Sequence, residues 1–106
     1  VISEQKVEAA VKFYRDIAED IGDLYGQVWY LDHKRKIIRA ELFNEADGTV
    51  AQREAYAESH PDYINVVEEA RDAVTALNTE KTKLKAAELT IEVWRSQFAA
   101  SKRGHI

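Results

Sequence analysis

The sequence predicts an all-α fold: a long antiparallel helical hairpin with a short helix at the corner, dimerising into a four-helix bundle. Three observations predict it. Apolar residues advance by steps of three and four along both halves of the chain, the period of an amphipathic helix. Midway, the stretch NEADGTVAQREAYAESHPD from Asn44 to Asp62 carries helix-stop and helix-start signals and no strand pattern. With 45% apolar and 32% charged residues but only four Gly and one Pro in 106 residues, the composition is that of an ordered, helix-rich chain. The length fits one domain spanning 1–106, divided into arm one (3–46), corner (47–60) and arm two (61–102).

Arm one opens at Ser3, whose hydroxyl can cap a helix, with Glu4 placed to complement the helix dipole. Its apolar stripe runs Val7, Ala10, Tyr14, Ile17, Ile21, Leu24, Val28, Leu31, Ile38 and Leu42, is interrupted at Arg35, and is widened by Val11, Ala18, Tyr25 and Trp29. Gly22 and Gly26 sit one turn apart within it, each costing about 1 kcal/mol relative to Ala. They read as a close helix approach or a bend, with a hinge or break dividing the arm as the other reading. At the corner, Asp47-Gly48 is a helix stop, and Thr49 with Gln52 three residues on forms a capping box. Ser59-His60-Pro61 starts the next helix, since Pro suits a first turn. The corner helix, 50–58, is poor in large apolar groups and is expected to pack across the open end of the arms. Arm two carries Val67, Ala70, Val74, Leu77, Leu84, Ala87, Ile91, Trp94 and Phe98, one step being missing between Leu77 and Leu84. Lys102, Arg103 and Gly104 then form a basic end signal.

Charge is distributed unevenly along each arm. Residues 1–32 carry three Lys/Arg against seven Asp/Glu, and 33–46 carry four against two; 61–80 carry one against five, and 81–106 carry six against two. Arms of about 60 Å reversing at mid-chain would set residue i near 107 minus i. That register places Lys34, Arg35, Lys36 and Arg39 before Glu68, Glu69 and Asp72, and Glu19, Asp20 and Asp23 before Lys81, Lys83 and Lys85. A two-helix hairpin hides only one side of each arm. Tyr25, Trp29, Val66, Trp94 and Phe98 are surplus apolar surface, assigned to a homodimer interface. A monomer whose arms fold into three or four shorter helices is the alternative.

Function classes are mostly excluded rather than selected. There is no cysteine, so disulfides, thiol catalysis and thiolate metal sites are absent. No apolar run reaches membrane-span length and the amino terminus shows no signal sequence, so no membrane contact and a cytoplasmic address are expected. The absence of Met is read as an initiator lost or trimmed, with the extreme amino terminus expected to be missing. No phosphate-cradling Gly-rich loop, nucleophile elbow or His-Glu-x-x-His pattern occurs, and His33, His60 and His105 are scattered. The reading is of no catalytic residue, no metal and no cofactor. The basic run HKRKIIR at 33–39, with Lys34, Arg35, Lys36 and Arg39 beside Trp29 and Tyr30, is the candidate for tracking a phosphate backbone. Lys102 and Arg103 are a second, smaller candidate. The net charge of −4 and neutralisation by the facing carboxylates oppose both.

Three segments, LFNEADGTVAQREAYAESHPDY, LKAAELTIEVWRSQFAASKR and the closing RGHI, resemble a group of small uncharacterised helical proteins of tailed bacteriophages and prophages, with a Gly-Thr-Val-Ala corner, an Ile-Glu-Val-Trp-Arg helix and a basic tail. The likeness covers residues beyond 35. It brings no catalytic residue; Glu92, Trp94 and Arg95 stand in its most recognisable motif. It implies a phage origin and a place among early genes for DNA recombination or replication, in the host-cell cytoplasm. The expected function is therefore a non-enzymatic accessory acting through contacts with a phage or host DNA-metabolism protein. Direct DNA binding through the basic patches is the alternative.

Overall fold

The computed structural model describes residues 1–104; His105 and Ile106, the end of the RGHI segment, lie outside the described residues. Three helices make up a helical hairpin with no strand among the described residues: α1 (Glu4–Glu45), α2 (Val50–Ser59) and α3 (Pro61–Gly104). Their ends follow local chemistry. The Ser3 hydroxyl accepts from the Lys6 amide at 3.2 Å. Gly48 takes φ +109°, a left-handed conformation that Gly adopts without strain. Thr49 Oγ1 accepts from the Gln52 amide at 3.2 Å while Gln52 Oε1 accepts from the Thr49 amide at 2.9 Å, the reciprocal capping box. His60 is extended, and its Nδ1 accepts from the Asp62 amide at 3.1 Å, so this side chain caps α3 ahead of Pro61.

The chain divides into two compact units: residues 1–22 with 78–106, and residues 23–77. In the second unit, Leu31, Val66 and Ala73 form the buried cluster, with Val28, Ile38 and Ala70 packed against it. Leu42, Ala57 and Leu77 are buried as well. α2 does not cross an open end as expected. It runs back beside the last turns of α1: Ala57 is 0% exposed, the Arg53 guanidinium lies 4.2 Å over the Phe43 ring and donates to the Phe43 carbonyl at 3.0 Å, and Arg39 pairs with Glu58 at 2.9 Å. The reversal is therefore confined to Ala46–Thr49, and α2 is the first stretch of the returning arm.

That placement corrects the register. Leu31 packs against Val66, and Arg35 interacts with Tyr63, so partners in this unit sum to 97 or 98 rather than 107. In the first unit, the Ile2 amide donates to Gln97 Oε1 at 3.1 Å, and Val7, Ala10, Ile17 and Ala87 are buried. The seam of α3 also differs in phase. Val66 and Ala73 are buried where Val67 and Val74 were expected, and half-buried Glu80 fills the step missing between Leu77 and Leu84. The stripe Tyr63, Val66, Ala70, Ala73, Leu77, Glu80, Leu84, Ala87, Ile91 and Trp94 is thus an unbroken heptad series of buried or half-buried positions.

The two α1 glycines neither break the helix nor serve close packing. α1 is continuous through both, and a Cβ added at Gly22 or Gly26 meets nothing within 4 Å. Gly22→Ala and Gly26→Ala should each raise stability by about 1 kcal/mol in urea denaturation. Gly48→Ala should lower it by about 2 kcal/mol, because its Cβ needs the left-handed conformation and runs into Gln52 Oε1. Equal effects at all three positions would contradict this account.

Candidate functional site

The basic cluster occupies two turns of α1, and helical spacing decides its partners. Asp32 lies three and four residues before Arg35 and Lys36, the distances at which side chains on one helix meet. Arg35 closes on it at 2.8 Å and Lys36 at 3.2 Å. Hydrogen bonding from Arg35, then from Lys36, holds the Asp32 carboxyl below the usual carboxylate range. Arg35 is raised in turn, by Asp32 first and then by Tyr63, and Arg39 is raised by its bond to Glu58. Lys34, half-buried, makes no ion pair among the described residues.

The expected pairing of these cations with Glu68, Glu69 and Asp72 does not form. The register moves those carboxylates more than two turns away, and Asp72 pairs with Arg71 at 3.3 Å. Lys83 likewise pairs within its own helix, with Glu80 at 3.2 Å. His33 Nδ1 donates to the Trp29 carbonyl at 2.9 Å, with its ring 4.2 Å from the Trp29 ring. Lys102 and Arg103 stand in the last turn of α3, where cations complement the helix dipole. Lys102 Nζ lies 5.4 Å from the Phe98 ring, and Arg103 donates to the Ala99 carbonyl at 3.4 Å.

The apolar surface is the more pronounced feature. None of the ten aromatic residues is buried, and the buried core contains four alanines and nothing larger than Leu or Ile. With the α1 seam at heptad positions a and d, Tyr25 falls at e and Trp29 at b; with the α3 seam set likewise, Val67 and Val74 fall at e and Ile64 at b. Turning one helix end over end exchanges its left and right flanks, so in an antiparallel pair the two e flanks share a side. Tyr25, Trp29, Ile64, Val67 and Val74 therefore share one side of the second unit, all exposed, Trp29 at 64% and Tyr25 at 50%. The ions beside them are neutralised within their own helices, Asp32 with Lys36 and Arg71 with Asp72.

Of the five residues assigned to an interface from the sequence, the structure brings Tyr25 and Trp29 onto this side. Val66 is a correction: at 2% exposure it belongs to the core against Leu31 and Ala73. Trp94 and Phe98, in the first unit, stack on each other with centroids 5.3 Å apart and planes at 17°. Ile64, Val67 and Val74 were missed, the valines because the seam was drawn one residue late; the doublets Val66-Val67 and Ala73-Val74 were the signal. Among the described residues no group of three His, Cys, Asp or Glu could hold a metal ion, and no helix is long and apolar enough to cross a membrane. No protein-family model matches the chain, and no match is found among curated proteins or solved structures.

Asp32 gives a pH signature. Its carboxyl titrates lower in the folded chain than the ordinary 3.8, so its contribution to stability is present above that range and is lost as pH falls through the folded value. The difference in thermal unfolding between wild type and Asp32→Asn should be small, level at neutral and mildly acidic pH, and gone in strong acid. A difference that persists in strong acid would show that packing rather than charge is lost.

Proposed function

We propose that the protein is a non-enzymatic interaction module that works as a homodimer, two hairpins joining through the side that carries Tyr25, Trp29, Ile64, Val67 and Val74. The observation that carries this reading is the outward placement of large apolar side chains on one side of the second unit, Trp29 64% and Tyr25 50% exposed beside exposed Ile64, Val67 and Val74. A standard interface removes about 800 Å² from each partner, and aromatic side chains are enriched in the part that becomes buried. Closed two-fold pairing lets a single side cover itself, and this side carries paired charges of both signs at its edges, so a second copy meets no net repulsion there.

The likeness of the Gly-Thr-Val-Ala corner and the Ile-Glu-Val-Trp-Arg helix to phage proteins supports a phage origin, a host-cell cytoplasmic setting and an accessory role in DNA recombination or replication through a protein partner. Direct DNA binding is the weaker reading. Arg35, Lys36 and Arg39 are already engaged by Asp32 and Glu58, and the unit that holds them carries six Lys/Arg against eleven Asp/Glu. A phosphate backbone would have to displace those carboxylates against a net repulsive field.

Sedimentation equilibrium tests the reading. Wild type should sediment as a dimer, and Trp29→Glu combined with Val74→Glu should sediment as a helical monomer by circular dichroism. A wild-type monomer at high concentration would overturn the dimer. Retention of wild type on DNA at low salt, lost in a Lys34→Glu, Lys36→Glu, Arg39→Glu variant that remains dimeric, would establish the DNA-binding reading instead.

A further inference from the structure

In the first unit the g positions of α1 and α3 border a trough of about 440 Å³ between the two helices. On α1 its floor is Ala9 and Ala10, set between Lys6 and Phe13. On α3 it is Ala86 and Ala87, set between Lys83 and Thr90. The two segments repeat one pattern, KVEAAVKF at 6–13 and KLKAAELT at 83–90, Lys-x-x-Ala-Ala in each. Because the helices are antiparallel, the repeat builds a local two-fold. Lys6 and Thr90 bound one end of the trough and Phe13 and Lys83 the other, so one ammonium group marks each end. The two are one heptad apart, roughly 10 Å along the axis.

Two consequences follow for what the trough can hold. Paired alanines on both walls leave the backbones approachable, and small side chains at a contact permit interaxial distances near the short end of about 8–10 Å. A third helix fits such a surface better than a bulky ligand does. Lys6 and Lys83 are the only ionisable groups lining it, and Lys83, 57% exposed, is joined to half-buried Glu80 only by an intrahelical pair, a kind that contributes little. The lining is therefore apolar with a positive charge at each end.

We propose that this trough docks one amphipathic helix of a partner protein whose docking face carries apolar side chains between two carboxylates seven residues apart. The local two-fold accepts that helix in either direction, since reversing it exchanges Lys6 for Lys83. The trough is lined by residues of the first unit and the aromatic side by residues of the second, with none in common, so failure of this docking would leave the dimer reading intact.

The test is fluorescence anisotropy of the full chain with a labelled synthetic helix bearing a Leu/Ala face and Glu at both flanking positions, beside the same peptide with Lys there. Wild type should bind the acidic peptide and not the basic one. Lys6→Glu with Lys83→Glu should weaken the acidic peptide by about tenfold or more and admit the basic one, while Ala86→Arg should block both, with helicity retained by circular dichroism. Equal affinity for the two peptides, no binding of the acidic peptide at the highest soluble concentration, or indifference to the Lys variants would overturn the proposal. So would loss of the homodimer on Ala86→Arg, which would identify the occupant as a second copy of this chain.

Discussion

The reversal at Gly48 and Thr49 is the constraint from which the rest of the hairpin follows. A residue with φ +109° followed at once by a reciprocal capping box turns the chain within four residues and launches the return arm immediately. The centre of the pairing in the second unit then falls beside Gly48 rather than at mid-chain, and the oppositions there between α1 and the returning helices follow from counting outward from it. Leu31 meets Val66 and Arg39 meets Glu58 for this reason. A reversal several residues later would bring a different set of side chains into the seam, since a helical face repeats only every three or four residues.

The seam so produced is thin. Val66, Leu31 and Leu42 are buried, but Ala10, Ala57, Ala73 and Ala87 occupy positions where larger groups would normally sit. Alanine adds little burial, since each buried methylene contributes only about 0.8 kcal/mol, yet it lets helices approach closely. The chain keeps its bulk for the outside: all ten aromatics are exposed or half-buried. A helix pair that hides alanine and displays Trp29, Tyr25 and Phe98 has its larger hydrophobic contribution still unrealised, which is the physical basis for reading it as an interaction module.

What the sequence made legible was local. Ser3, Gly48, the Thr49–Gln52 box and Pro61 each act through atoms a few residues away, and each stands as its residue type dictates. The seam of α1 was legible because the series from Val7 to Leu42 keeps one phase along the helix, and Val11, Ala18 and Tyr25 beside it widen the stripe without offering a longer one. On α3 the doublets Val66-Val67 and Ala73-Val74 offer two phases, and hydrophobicity favours Val74 over Ala73, whereas the folded chain buries Ala73 with Leu31 and Val66 and leaves Val74 exposed. The position of α2 was hidden for a related reason: few large apolar groups suggested a loose plug, but Ala57 is buried because it is small. The pairing of Lys34, Arg35, Lys36 and Arg39 with Glu68, Glu69 and Asp72 failed through the register. With the reversal placed beyond Gly48, the cations of α1 were set against carboxylates two turns too far along α3, while the intrahelical partner Asp32 was available three and four residues away.

Polar residues at seam positions explain how so thin a core holds one register. Arg35 and Tyr63 stand on the seam of the second unit and Glu80 on that of the first. Arg35 keeps its charge in water and against Asp32 while reaching Tyr63, and Glu80 reaches Lys83. Sliding α3 by one heptad against α1 would leave the apolar stripes superimposed, so hydrophobic burial alone barely distinguishes the two arrangements. It would, however, carry Tyr63 away from Arg35 and set that guanidinium against the apolar side of Ala70 or Val66, at the cost of burying a charge with fewer hydrogen bonds. Polar groups at core heptad positions specify register in this way at some expense in stability, and here the capped turn and Arg35 point to the same alignment.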